Sequence, residues 1–317
     1  MRFRRTGAGE FTFRSGTGTF ALVLVLIVVA IGVVLWQQSR PSIDEFGFAF
    51  WRTSTWDPVA GNFGALPFIW GTLYSSLLAL VLATPVALGI AVFLSETCPA
   101  WLRTPLVFLT ELLAAVPSIV YGLWGIFVLV PAVRSVQMSL PDWMRALPLF
   151  SGPPVGVSLL AAALVLAIMI VPFTSSVARE VLKSVPAAQR EAAYALGATR
   201  WEATRVALGY ARTGILGAVM LGFGRALGET MAVTMVIGNN SQVSASLFAP
   251  QYTMAAVIAN EFTEAGDPLH LAALVEIGLV LFTITLLVNL LSRLMIWRMN
   301  AERRPRTAVV KPVETAA

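Results

Sequence analysis

Long, unbroken apolar stretches recur along the chain, and they limit its possible fold more than any other feature. A transmembrane helix needs about 20 consecutive, mostly apolar residues to cross the hydrocarbon core of a bilayer. Six stretches meet this need, at about 20–36, 68–94, 105–131, 155–178, 215–238 and 271–297. They are continuous and do not alternate over about ten residues, as transmembrane strands do. The sequence therefore predicts an all-α membrane protein with six transmembrane helices.

The composition agrees with lipid as the main solvent. Charged residues make up only 12% of the 317 residues and hydrophobic residues 57%, whereas soluble domains carry about 25% charged residues. A soluble chain could not cover so much apolar surface with so few charges. The single cysteine, Cys98, and the single histidine, His270, exclude a disulfide framework and His-rich or Cys-rich metal motifs. We expect neither a metal site nor catalytic residues.

The first apolar stretch is preceded by a basic tail, as in a secretory signal peptide. This tail contains Arg2, Arg4, Arg5 and Arg14. The stretch is long for a signal peptide, and the residues at 36–39, Trp-Gln-Gln-Ser, offer no Ala-x-Ala cleavage site. We therefore expect 20–36 to be an uncleaved anchor.

Lysine and arginine are distributed unevenly between the predicted spans. They are concentrated in the N-terminal tail, the loop after the fourth span and the C-terminal tail, whereas the loop after the fifth span has none. Cytoplasmic segments of membrane proteins carry the excess of positive charge, so these three segments are predicted to be cytoplasmic. The net charge of +5 then reflects topology, and we expect no nucleic-acid binding.

This topology divides the chain into segments on alternate sides of a bacterial inner membrane. They are a cytoplasmic tail (1–19), a transmembrane anchor (20–36), a periplasmic loop (37–67), a membrane core (68–299) that includes a cytoplasmic loop (179–213), and a cytoplasmic tail (300–317).

The predicted cytoplasmic loop contains a pattern of two helices separated by a glycine. The stretch 190–201 is rich in alanine, leucine, glutamate and arginine, which are good helix formers. Pro186 suits a helix start, and Gly197 suits a helix end because glycine tolerates positive φ. A second helix is expected from about Trp201. Such an element can dock into the groove of a partner protein, or it can rest on lipid headgroups.

Several motifs resemble the permease subunits of ABC importers. Glu191, Ala192, Ala193 and Gly197 resemble the family's EAA loop, as does Val206-Ala207-Leu208, although Gly209 stands where the family usually has proline. The segments 111–122 and 224–233 are similar, more narrowly, to phosphate permeases of the PstC type.

The resemblance implies a fold, a role and a set of partners. The fold would be the type I (MetI-like) permease bundle, and Glu191, Ala192, Ala193 and Gly197 would belong to the helix that couples the permease to its ATPase. The partners would be a homologous second permease, a dimeric cytoplasmic ABC ATPase and a periplasmic phosphate-binding protein. Inorganic phosphate would be the transported ion.

Two opposite charges fall within the fifth apolar stretch, Arg225 and Glu229. A charged side chain at the centre of a bilayer costs about 2.5–3.5 kcal/mol on insertion scales, so neither is expected to face lipid. The two residues are four apart and are therefore expected to share one helical face. The two can form a buried ion pair that only holds the bundle together, or Arg225 can line the path of the anion while Glu229 orients it.

Four further polar residues are candidates for the substrate path. Glu111 and Glu276 fall within apolar stretches and can pair with Arg225 or with helix termini, while Ser118 and Thr230 can supply hydroxyl donors. Ordinary helix packing is the alternative explanation for Ser118 and Thr230.

The energy for transport must come from outside this chain. A P-loop needs Gly-x-x-x-x-Gly-Lys-Ser/Thr, and neither lysine, Lys183 or Lys311, has that context. We therefore expect no cofactor in this chain and ATP use by the partner ATPase. The alternatives are a permease for another oxyanion, such as sulfate or molybdate, an ion-driven secondary transporter, and an intramembrane enzyme.

Overall fold

A computed structural model describes residues 7–301. The first six residues of the predicted N-terminal tail, and residues 302–317 of the predicted C-terminal tail, lie outside the described residues. Within residues 7–301 the regular secondary structure is helical, apart from two isolated β-bridges.

The described helices begin and end as follows: α1 Gly7–Gln38, α2 Arg40–Phe46, α3 Leu66–Val92, α4 Ala100–Ala115, α5 Ser118–Trp124, α6 Val130–Ser139, α7 Asp142–Arg145, α8 Leu159–Lys183, α9 Ala187–Ala195, α10 Arg200–Leu227, α11 Met231–Ile237, α12 Met254–Glu261 and α13 Pro268–Ala301. A 3₁₀ turn covers Gly47–Trp51, and π-helical turns follow α3 (Phe93–Thr97) and α5 (Gly125–Leu129).

Six helical segments of the described chain are long and apolar enough to cross a membrane. They are Phe13–Gln38, Leu66–Thr97, Ser118–Ser139, Leu159–Lys183, Arg200–Leu227 and Pro268–Met299. The prediction of an all-α chain with six spans is confirmed, and the protein is a multi-pass membrane protein.

The third predicted span, 105–131, is wrong as a single helix. The chain leaves the helical conformation at Val116 (ψ 128°) and Pro117 (ψ 139°), so α4 ends before the membrane-length segment Ser118–Ser139 begins. The reason is local, because a residue that precedes proline is driven out of the α region by contact with the proline ring.

The fifth predicted span, 215–238, is also interrupted. Helix α10 ends at Leu227, Gly228 lies in a turn, and a separate short helix, α11, begins at Met231. The membrane-length helix in this region is Arg200–Leu227, which starts well before the predicted span. Helices also extend into both ends of the predicted loop 179–213, because α8 continues to Lys183 and α10 begins at Arg200.

The chain forms two compact units, which are described separately. Within the described residues, the first comprises 7–77, Pro117–Leu166 and Leu227–Thr285, and the second Leu78–Val116, Ala167–Ala226 and 286–301.

The core of the first unit joins the predicted periplasmic loop to the later helices. Phe50 and Phe63 of that loop are buried with residues of α12 and α13. The Trp56 indole donates to Glu261 Oε2 at 2.9 Å, and His270 Nε2 lies 3.2 Å from the same oxygen. This loop is therefore a packed part of the unit.

Helices α5 and α11 of the first unit pack closely and run parallel. A Cβ added at Gly122 would lie 2.7 Å from Met235 Sδ, and one added at Gly125 would lie 2.8 Å from Val236 Cγ1. Because both sequences advance in the same direction along this contact, the two helices begin at the same end.

The core of the second unit is a seam of small side chains between α3, α8 and α10. Its buried residues are Ala91, Ala178, Leu182, Val185, Ala207, Ala211, Ile215 and Ala218. Small residues let transmembrane helices approach closely, and here they fix the helix ends that carry the loop around α9.

Helix α1 makes little contact with the rest of the first unit. None of the side chains in its most apolar part is buried within this chain. It approaches α13 at Gly32, where an added Cβ would lie 3.3 Å from Phe282 Cε1. The exposed surface of α1 is apolar on all sides, as expected of a helix surrounded by lipid.

Candidate transport site and coupling element

The helix, glycine turn and second helix predicted within 179–213 are confirmed. Helix α9 is followed by Gly197, whose φ is +83°. Gly197 N–H donates to the carbonyl of Tyr194 at 2.9 Å, and Ala198 N–H donates to that of Ala193 at 3.1 Å. These two bonds form a Schellman motif, which requires the left-handed conformation that glycine adopts without strain.

The second helix starts with a capping box that the sequence analysis missed. Glu202 Oε2 accepts from the Thr199 backbone N–H at 2.7 Å and from its hydroxyl at 2.8 Å. In return, Thr199 Oγ1 accepts from the Glu202 N–H at 3.4 Å. The Thr-x-x-Glu pattern at 199–202 is a recognised signal for a helix start, so this element was detectable. The turn between α9 and α10 is thus defined on both sides.

The surface around α9 is exposed and partly apolar. Glu191 and Ala192 of the predicted coupling set are exposed, whereas Ala193 is buried. Leu196 is 90% exposed and Trp201 65% exposed. Two large apolar side chains beside exposed polar ones are typical of a protein contact surface.

Arg190, on the same helix, makes contacts that sequence reasoning did not find. Its guanidinium donates to both carboxylate oxygens of Glu96, from Nη2 at 2.7 Å and from Nε at 3.2 Å. It also donates to the carbonyls of Leu182 and Val185, each at 3.0 Å. One side chain therefore connects α9 to the end of α8 and to the π-helical turn after α3.

Arg225 lies in the last turn of α10, within the second unit. Its guanidinium carbon lies 5.7 Å from the centre of the Phe173 ring, a cation–π arrangement. Its Nε is buried and has no hydrogen-bond partner among residues 7–301. The guanidinium is thus held on an aromatic face with part of its donor capacity unused.

Glu229 does not continue the helix that carries Arg225, so the expectation of one shared helical face is wrong. It lies in the first unit, between α10 and α11, and its Oε1 accepts from the Ala232 N–H at 3.2 Å. A carboxylate in this position caps α11 and is favoured by the partial positive charge at a helix start. Glycine at 228, a poor helix former, precedes this break.

Glu111 has a partner that the sequence analysis did not consider. Its Oε1 accepts from Arg179 Nη2 at 3.3 Å, and the same nitrogen donates to Glu180 at 2.8 Å. The Arg179 side chain is 5% exposed and that of Glu111 56% exposed. The sequence left the partner of Glu111 open, and the structure shows Arg179 of α8.

Glu276 is almost fully buried in the first unit. Its Oε2 accepts from the Ser42 hydroxyl at 2.6 Å, and it borders an apolar cavity of about 250 Å³ lined by Trp36, Ile43, Gly47, Phe48, Trp51 and Leu279. The sequence left the partner of Glu276 open, and the structure shows that it is Ser42.

Ser118 and Thr230 lie at the starts of α5 and α11. Both residues therefore stand at the starts of two neighbouring parallel helices, and Glu229 directly precedes Thr230. Thr230 Oγ1 lies 3.4 Å from the Gly228 carbonyl. The roles of all six predicted path residues stay predictions.

Comparison with known proteins identifies the class of protein. The profile of the family described as "Binding-protein-dependent transport system inner membrane component" matches residues 87–300. In solved structures, a chain of the inward-facing MetNI methionine ABC transporter has a TM-score of 0.56 at 17% identity, covering 73% of this chain and 94% of that one. This likeness confirms the MetI-like bundle.

Curated relatives place the chain in a narrower group within this class of protein. The "Phosphate transport system permease protein PstC" of Pasteurella multocida is 49% identical over 92% of both chains. The protein of the same name from Mesorhizobium japonicum is 48% identical over 86% of this chain and 85% of its own. This chain belongs to the binding-protein-dependent transport system inner membrane components and, among them, to the PstC-type permeases.

Proposed function

We propose that this chain is the transmembrane permease subunit of an ATP-driven phosphate importer and forms half of the translocation pathway. The observation that carries the proposal is 49% identity over 92% of both chains to a permease named for phosphate transport. In this role the protein lies in the inner membrane of a bacterium with both termini in the cytoplasm. Sulfate and molybdate are the alternative cargoes.

The partners follow from this role. A homologous permease completes the pathway, a periplasmic binding protein delivers phosphate, and a dimeric ATPase docks on α9. The exposed Leu196 and Trp201 beside α9 support such docking. Importing a dianion against an inside-negative potential costs about 5 kcal/mol per 100 mV, so transport needs an energy source. That separate subunit supplies the energy by binding and hydrolysing ATP.

Arg225 is proposed to contact the anion during passage. Its guanidinium stays charged at any physiological pH and presents several donors to phosphate oxygens. Its buried, unpartnered Nε and its place on the Phe173 ring support this role. Glu229, by capping α11, positions the start of that helix, and Ser118, Thr230, Glu111 and Glu276 complete the proposed set.

Radiolabelled phosphate uptake tests the proposal. Cells that lack this chain are expected to regain uptake when it is restored together with its partner subunits, and excess unlabelled sulfate should not compete. Competition by sulfate, or uptake that is independent of the ATPase, would assign the chain another cargo or another energy source.

A further inference from the structure

The cytoplasmic loop contains one side chain that joins three elements. Arg190 of α9 donates to both oxygens of Glu96 and to the two carbonyls, Leu182 and Val185, at the end of α8. The Arg190 side chain is 21% exposed and that of Glu96 12% exposed. The pair is thus shielded from solvent far more than an ordinary surface ion pair, which contributes little.

The two helix ends held by Arg190 are themselves firmly packed. Leu182 and Val185 belong to the buried seam of the second unit, together with Ala91 of α3. Glu96 lies one turn beyond that alanine, in the π-helical turn at the end of α3. A displacement of α9 therefore reaches α3 and α8 through the contacts of one guanidinium.

Only arginine can make this set of contacts. The planar guanidinium offers five donors in a fixed fork, which matches a carboxylate with two parallel bonds and leaves donors for carbonyls. A lysine ammonium has the same charge but no fork. Four bonds from one planar group restrict the rotation of α9 relative to the two helix ends more than a single flexible bond would.

We propose that Arg190 and Glu96 are positioning residues for energy coupling, which make α9 move as one body with the ends of α3 and α8. The inference rests on the proposed function, because it requires an ATPase seated on α9. The competing explanation is that Arg190 only satisfies the last carbonyls of α8, a common task of basic residues at helix ends.

The variant Glu96→Gln separates these explanations, because Arg190 keeps its carbonyl partners while the charged pair is lost. The assay uses the complete transporter and measures phosphate imported per ATP hydrolysed, with membrane abundance and ATPase co-purification. We expect this ratio to fall about tenfold in Glu96→Gln and in Arg190→Lys, with abundance and co-purification unchanged. Arg205→Lys, an exposed arginine on α10, is the matched control and should keep the wild-type ratio.

An unchanged ratio in both variants would overturn the proposal, and so would loss of the ATPase from the purified complex, which would make Arg190 a docking residue. If the wild-type chain itself retains no ATPase, the proposed function and this inference fail together. If the wild type is coupled and the variants are too, only this inference fails.

A second experiment tests the proposal if Glu96→Gln or Arg190→Lys does not accumulate in the membrane. In a Cys98→Ala background, Glu96→Cys and Arg190→Cys are combined and joined by a short bis-maleimide. The ratio should be low before cross-linking and recover after it, because the linker restores the connection between α9 and the end of α3. A ratio that stays low once the two positions are linked would refute the proposal.

Discussion

Replacing Gly197 by valine tests how strongly the turn after α9 depends on its backbone conformation. The φ of +83° lies in the left-handed region, which costs an ordinary L-residue about 1–2 kcal/mol. No atom lies within 4 Å of a Cβ built at this position, so steric contact adds nothing to that figure. A penalty of this size shifts the population of the native turn by roughly 5–30-fold.

The consequence should be a loss of coupling without a loss of protein. The two Schellman bonds set the angle between α9 and α10, and both depend on the conformation of Gly197. We expect phosphate uptake per unit of membrane-inserted Gly197→Val protein to fall by about 5–30-fold, in line with the shifted population. Gly197→Asn is the control, because asparagine enters the left-handed region more readily, and it should retain most of the uptake.

Two measurements decide the matter: uptake normalised to protein abundance, and co-purification of the ATPase. Wild-type values of both in Gly197→Val would show that the turn is not needed for docking. A decrease of the same size in Gly197→Asn would show that the backbone conformation is not the cause.

Three further predictions concern the charges and the helix ends. Arg225→Gln should reach the membrane at normal abundance and import almost no phosphate, and Arg225→Lys should also be impaired. Arg225→Gln combined with Glu229→Gln should stay inactive; recovery of uptake in the double variant would show that charge balance, and not an anion contact of Arg225, is what the single change removes. Thr199→Ala removes half of a capping box and should destabilise the start of α10 by about 1 kcal/mol, seen as faster amide exchange there, with unchanged exchange refuting the cap. A reporter that functions only in the cytoplasm should be active when fused to the N-terminus, and one that functions only in the periplasm should be inactive. A mature chain that begins after Trp36 would disprove the uncleaved anchor.

Hydropathy was sufficient to predict the number and approximate place of the spans, because lipid imposes the same length and composition on every crossing helix. It could not predict where the backbone leaves the helix, since Val116 and Gly228 are as compatible with an apolar stretch as their neighbours. Pro117 was the one visible signal, and prolines inside helices, such as Pro85 and Pro172, show why it was ambiguous.

The partners of the charged residues were beyond sequence reasoning for a different reason. Arg179 and Glu111 are 68 positions apart, and Arg190 and Glu96 are 94 apart. No periodicity connects positions on different helices, so the pairing follows only from how those helices pack. The Gly197 turn was predictable because all of its determinants lie within a few residues of one another.

The lack of buried side chains in the apolar part of helix α1 predicts how its sequence can vary among relatives. Its side chains meet surroundings that discriminate by polarity and not by shape, so most of its positions carry little information beyond being apolar. Three positions near its end are exceptions: a larger residue at Gly32 would meet Phe282, Leu35 lies against Gly278 of α13, and Trp36 lines the cavity beside Glu276. Scrambling the order of the apolar residues before Gly32 should therefore be tolerated, and neutral drift should erase the sequence similarity of that part faster than that of any packed span.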